Sequence, residues 1–206
     1  MKLIQSKNAN VNYLAKIVKI DNFHKHSDPE VTKLKCCCID GFNIITGIDS
    51  EPGLYVYFPT ACCINPKFLS YANLYSHGEL NVDQTKTGMF DDNGRVKAIR
   101  LRGELSEGFI IPIVVLENWV MSTVNVELKV EEGTEFDSIE HDGKTFWVNK
   151  KYIPKNTRTP GAPGSGNSGK GKQPKGLDKI IENQFRFHYD TVLIKKCPWI
   201  IKPNDI

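Results

Sequence analysis

Residues 31–59 read VTKLKCCCIDGFNIITGIDSEPGLYVYFP, and the reading of this stretch decides the fold. Three apolar runs, 31–39, 42–48 and 54–60, are each of strand length and are punctuated by Gly and Asp. Asp40-Gly41 between two such runs is a two-residue hairpin signal, because both turn positions need positive φ and Asp and Gly adopt it at least cost. Working outward, the same strand-like pattern recurs at 14–20, 95–102, 107–116 and 145–153. A second hairpin is expected at His141-Asp142-Gly143-Lys144, between the runs that contain Phe136 and Trp147.

One segment of this region reads as helix. In 65–75, Pro66 stands near the start and Phe68, Leu69, Ala72 and Tyr75 follow at near-helical spacing. Five or more short strands with one intervening helix predict a mainly β chain. The expected architecture is a small OB-fold-like Greek-key barrel with one or two short helices, since closure removes exposed strand edges.

Composition sets the outer bounds. The 206 residues are 40% hydrophobic and 25% charged, as in a soluble globular chain with one sizeable core, which excludes a cross-linked mini-protein. The net charge of +3 is unevenly spread: residues 1–153 carry 17 basic and 20 acidic side chains, while residues 154–176 carry 5 basic and none acidic. That second segment, PKNTRTPGAPGSGNSGKGKQPKG, has no large apolar residue to offset its ordering entropy and is expected to be a linker. Three units follow: a barrel at 1–153, the linker at 154–176, and an incomplete α+β segment at 177–206, too short to fold alone. The lysines Lys170, Lys172 and Lys175 of the linker add either phosphate affinity or solubility.

The N-terminus has no apolar signal region and no long uncharged apolar run follows, so a cytoplasmic protein without membrane insertion is expected. Cys36, Cys37, Cys38, Cys62, Cys63 and Cys197 occur in adjacent runs or alone, not at zinc-like gaps. They are expected to be reduced structural thiols, with Cys36 and Cys38 on one strand face and Cys37 on the other.

There is no phosphate-loop cradle and no Gly-x-Gly-x-x-Gly following a strand. The histidines suggest no metal constellation: His24 and His26 could share a strand face, but a single close pair is a weak signal, and no metal ligand is expected. The most informative polar stretch is 95–102, RVKAIRLR, with Arg95, Lys97, Arg100 and Arg102 and no acid. Such residues can track a phosphate backbone while aromatic side chains, here Tyr57 and Phe58 with Tyr55, Tyr75 or Phe90, offer bases a stacking surface. A solvated strand face is the equal alternative.

Two passages carry a resemblance. The first joins the order of elements from Ile17 through Ile64, including the turn His24 to Asp28, Ile39-Asp40-Gly41-Phe42 and the run from Gly53 to Pro59, to the segment from Arg95 to Gly108. It resembles the N-terminal OB-fold module of a family of ATP-dependent RNA ligases, and more distantly the tRNA-binding barrels appended to some aminoacyl-tRNA synthetases. The second, FRFHYDT at 185–191 followed by IKPNDI at 201–206, resembles the entry to the nucleotidyltransferase domain of those ligases, which the tRNA-binding barrels lack.

The resemblance implies that the full enzyme seals a 3′-hydroxyl to a 5′-phosphate in RNA repair. It would use ATP and a divalent metal, Mg or Mn, through a lysyl-adenylate on a Lys-x-x-Gly element. This sequence stops before that element. In its two nearest look-alikes, Glu140-His141-Asp142-Gly143 and Cys38-Ile39-Asp40-Gly41, the nucleophile position is Glu140 or Cys38, and neither supplies an amine. The chain is therefore expected to bind RNA without catalysing, with no catalytic residue and no cofactor of its own, and to need the missing nucleotidyltransferase portion in cis or trans. A free-standing OB-fold RNA- or tRNA-binding protein is the alternative.

Overall fold

The computed structural model describes residues 1–154. The expected linker beyond Pro154 and the expected segment 177–206, with His188 and Cys197, lie outside the described residues. In chain order the first elements are β1 (Lys2–Ile4), β2 (Ala15–Ile20), β3 (His24–Lys25), β4 (Leu34–Ile39), β5 (Phe42–Gly47), β6 (Gly53–Phe58), β7 (Cys62–Ile64) and α1 (Pro66–Tyr71). They are followed by β8 (Ala98–Leu101), β9 (Glu104–Glu107), β10 (Phe109–Pro112), α2 (Ile113–Val124), β11 (Glu135–Phe136), β12 (Ser138–His141), β13 (Lys144–Trp147) and β14 (Asn149–Lys151). The chain is mainly β, as the sequence predicts. No helix among the described residues is long and apolar enough to cross a membrane.

A four-stranded antiparallel sheet, β10-β6-β2-β11, divides the interior. On one face Ala15, Ile17, Val56, Phe58, Ile111 and Phe136 pack with Phe68 of α1 and with Leu116 and Trp119 of α2. On the other, Val18, Ile20, Tyr55, Tyr57 and Ile110 pack with Cys37, Ile39 and Ile44 of the β4–β5 hairpin. A strand covered on both faces has no polar side to show, which is why LYVYF in β6 runs apolar without alternation.

The β3-β4-β5 sheet meets β9 through side chains: the Ile45 N–H donates to Ser106 Oγ at 3.0 Å and Asn43 Nδ2 donates to the Leu105 carbonyl at 3.0 Å. The ladders thus form five separate sheets, and among the described residues they do not close a barrel. Closure, expected from the sequence, is replaced at this seam by side-chain bridges. Gly108 joins β9 to β10, with φ +139°, and a Cβ there would lie 2.5 Å from Tyr57 Cε2 and 2.9 Å from the Phe58 carbonyl oxygen. Only glycine lets the chain pass this close to β6 as it leaves its pairing with β8.

Asp40-Gly41 and Asp142-Gly143 are hairpin turns with positive φ at both residues, as expected. Arg102-Gly103 is a third, hidden in the sequence because arginine is no turn signal. Both look-alikes of the nucleophile element therefore owe their Asp-Gly to hairpin geometry.

Two readings need correction. The expected helix at 65–75 ends at Tyr71, since Asn73 turns left-handed at φ 55°. The expected strand at 107–116 takes in the last residue of β9, all of β10 and the start of α2, whose buried Leu116, Trp119 and Val120 follow the i, i+3, i+4 spacing of a helix face. The residues on either side of Pro112 are alike in being apolar and β-branched, and Pro112 itself, the N-cap of α2, marks the boundary.

Candidate nucleic-acid interface

The basic stretch 95–102 does not form one stripe. Only Ala98–Leu101 is a ladder strand, paired with β9, whereas Arg95 forms an isolated antiparallel bridge with Cys63 of β7. Lys150 of β14 is the register partner of the same Cys63. Lys150, Cys63 and Arg95 therefore lie side by side across three segments, on the outward face, while Cys62 and Ile64 point into the core.

Aromatic rings accompany the cations of this region. The Arg95 guanidinium lies 4.9 Å from the Tyr152 ring centroid and Lys150 Nζ lies 4.4 Å from that of Trp147. Next to them Lys151 Nζ is 5.3 Å from the Tyr13 ring. All three rings are half-buried, so each is anchored in the fold while part of it reaches solvent. Among the described residues neither Arg95 nor Lys150 forms an ion pair.

A cleft of about 860 Å³ opens here, lined by Cys63, His77, Asn93, Lys150 and Tyr152 among others. At its floor the Cys63 thiol donates to the Asn93 carbonyl at 3.1 Å. Burial pushes that thiol above its usual range, and the charge of Lys150 opposes the shift. Lys97 is exposed but paired with Asp91, whose carboxyl it holds below the usual range by hydrogen bond and charge, and His77 meets Asp92 at 2.9 Å. The cleft is thus cationic on its β14 side and acidic on its opposite rim.

The other half of the stretch sits elsewhere. Arg100 Nη1 donates to the Gly103 carbonyl at 3.0 Å across its own turn, and Arg102 occupies that turn with φ 49°. Arg102 faces a second cleft, beside Asp28, Glu30 and Lys33.

The aromatic residues expected to stack bases are corrected outright. Tyr57 is 3% exposed and Phe58 0%, on opposite faces of β6 in the two cores, and Tyr55, Tyr75 and Phe90 are equally buried. The Tyr57 hydroxyl donates to the Glu107 carbonyl at 3.1 Å, and desolvation drives its pKa well above the ordinary tyrosine value. None of these rings offers a face to a ligand. The aromatics that do reach solvent beside cations are Tyr13, Trp147 and Tyr152, and no spacing along the chain joins Tyr13 to Lys151 or Tyr152 to Arg95.

His24 and His26 do not share a face. His26 is buried: the Asp28 N–H donates to its Nδ1 at 3.1 Å, which leaves Nε2–H to donate to the Leu101 carbonyl at 3.0 Å. His24 is exposed on β3, opposite Cys36 in the ladder. Among the described cysteines Cys36, Cys37 and Cys62 are buried, Cys63 is half-buried and Cys38 is exposed. Burial pushes Cys36 up to about 11 and Cys37 up to about 12.

No protein-family model and no curated protein sequence matches the chain. Among solved structures it is similar to Naegleria gruberi RNA ligase with PPi, at 21% identity over 57% of this chain and 33% of that one, with a TM-score of 0.37. A lysine-to-alanine mutant of that ligase with ATP and Mn gives 16% identity, 61% and 33% coverage and a TM-score of 0.38. A glutamate-to-alanine mutant with AMP and Mn gives 19%, 62%, 36% and 0.36. This chain spans about a third of the length of those chains.

Proposed function

We propose that the chain is the N-terminal RNA-binding portion of an ATP-dependent RNA ligase acting in the cytoplasm, and that it lacks catalytic activity by itself. Two things support the reading: the family resemblance of the sequence at 17–64, 95–108 and 185–206, and the surface built by Lys150, Cys63 and Arg95. The surface carries the RNA-binding part. Cations free of ion pairs supply phosphate contacts, and half-buried aromatics beside them supply platforms for bases, the combination by which single strands are held without sequence readout. Because residues 1–153 carry a small net negative charge, binding depends on this local arrangement and not on overall attraction.

In this reading residues 154–176 tether the domain, and residues 177–206 begin the nucleotidyltransferase portion, present in cis or supplied in trans. That portion provides the lysine nucleophile and holds ATP with Mg or Mn. No adenylyl-transfer step is assigned to a residue of this chain, since Glu140 and Cys38 occupy the look-alike positions.

The experiment is a salt titration of binding to a short single-stranded RNA by fluorescence anisotropy, comparing the full chain with Arg95→Ala/Lys150→Ala. Loss of two phosphate contacts should weaken binding about tenfold or more near physiological salt and reduce the slope of log K against log salt by about 1.4. An unchanged slope with unchanged affinity would remove RNA from this face.

A further inference from the structure

We propose that His24, Cys36 and Glu104 form a binding site for a zinc-like divalent cation, which staples the β3–β4 hairpin to the β8–β9 hairpin. Three different donor types converge from three strands: an imidazole nitrogen, a thiol sulfur and a carboxylate oxygen, all within 4.8 Å of one another. His24 and Cys36 are direct partners in the β3–β4 ladder, so backbone register holds them together. Glu104, the first residue of β9, comes from the other hairpin.

Neighbouring groups fix the carboxylate in place. Glu104 accepts from the Ser27 N–H at 3.0 Å and from Ser27 Oγ at 2.8 Å on one oxygen, and from Asn43 Nδ2 at 2.9 Å on the other. These donors aim the carboxylate, and the Ser27 bonds first, then His26 and Asn43, hold its pKa below the usual range. Its one basic neighbour within ion-pair distance among the described residues is His26, at 3.5 Å. An oriented carboxylate that is 20% exposed thus faces a thiol and an imidazole.

The donor set selects the metal. Thiolate and imidazole favour zinc-like ions over magnesium or calcium, which take all-oxygen shells. Zinc bonds of about 2.0–2.3 Å require donors roughly 3.3–3.8 Å apart, so the present spread must close by about 1 Å. His24 can do this, being exposed and without a hydrogen bond to its ring among the described residues. Binding forms a metal–sulfur bond and releases the Cys36 proton to solvent, with no change of oxidation state. Ser27 and Asn43 act as the outer shell that orients the carboxylate.

The test uses the full chain in reducing buffer, with Co2+ as the optical probe and Zn2+ as its competitor. A thiolate-to-cobalt charge-transfer absorption should saturate at one equivalent and be abolished by Zn2+, which should also raise Tm. Cys36→Ser should remove the absorption. His24→Ala, at an exposed position, should leave the metal-free Tm unchanged and weaken Zn2+ binding at least about tenfold, and Asn43→Ala about tenfold through the outer shell. If Cys36→Ser fails to fold, His24→Ala decides alone. Absence of the absorption in the native sequence overturns the proposal. So does unchanged affinity in His24→Ala, which would assign the cation to another thiol such as Cys38, Cys63 or Cys197.

Discussion

Arg95 and Arg102 belong to one basic stretch, yet they end in unlike surroundings. Arg95 lies against β7, level with Lys150 and over the Tyr152 ring. Arg102 forms a hairpin turn next to Asp28 and Glu30. The first gains its neighbours from residues about thirty and fifty positions away, while the second owes its place to the turn it makes. Charge that clusters in sequence need not cluster on the surface, and the denser cationic and aromatic patch is assembled from three segments that look unremarkable separately.

The comparison can be broken most severely through the core beneath it. Phe58→Ala should cost about 3–5 kcal/mol in urea unfolding, because it empties a fully enclosed site under α1 and α2. Tyr152→Ala should cost less than about 1 kcal/mol and weaken RNA binding instead, by about 1 kcal/mol or more for a lost stacking platform. If Phe58→Ala left stability intact and removed RNA binding, the assignment of buried and exposed aromatics would be reversed.

The joint between the two regions comes next. Gly108→Ala should destabilise by about 2 kcal/mol, since its Cβ would enter the space of the Tyr57 ring at a positive φ. Equal urea midpoints for the two proteins would mean that the β9–β10 junction yields easily.

At the hairpin end, Glu104→Gln should cost about 1 kcal/mol at pH 7, as the Ser27 and Asn43 bonds lose a charged acceptor. The Ser27 N–H and hydroxyl and then His26 and Asn43 hold the folded pKa below its unfolded value. The unfolded chain therefore binds the proton more readily, and the stabilisation is present above the unfolded pKa of about 4.3 and is lost as pH falls through the folded value. Urea midpoints at neutral and acid pH should show the gap between the two proteins closing on acidification, and a gap that widens would refute the assignment.

The smallest effect sharpens the comparison directly. Arg100→Ala/Arg102→Ala should change RNA affinity by less than about twofold and leave the salt slope nearly unaltered, in contrast to the Arg95→Ala/Lys150→Ala pair. Anisotropy titrations of both doubles, side by side, check this.

The β character, the Asp40-Gly41 and Asp142-Gly143 turns and the start of α1 at Pro66 were legible, because each rests on local chemistry. The two cores were not, since the unbroken run in β6 identifies burial on both faces only when its partners are known. That ambiguity turned Tyr57 and Phe58 into apparent stacking residues. The row of Lys150, Cys63 and Arg95, and the meeting of His24 with Cys36 and Glu104, depend on strand register, which spacing along the chain does not encode.

The most direct measurement is ultraviolet cross-linking of a uridine-rich single strand to the full chain, with the attached peptides identified by mass spectrometry. The account predicts cross-links at Trp147 or Tyr152, suppressed in Arg95→Ala/Lys150→Ala. Cross-links confined to 97–105 or to 177–206, with none between 147 and 152, would contradict it.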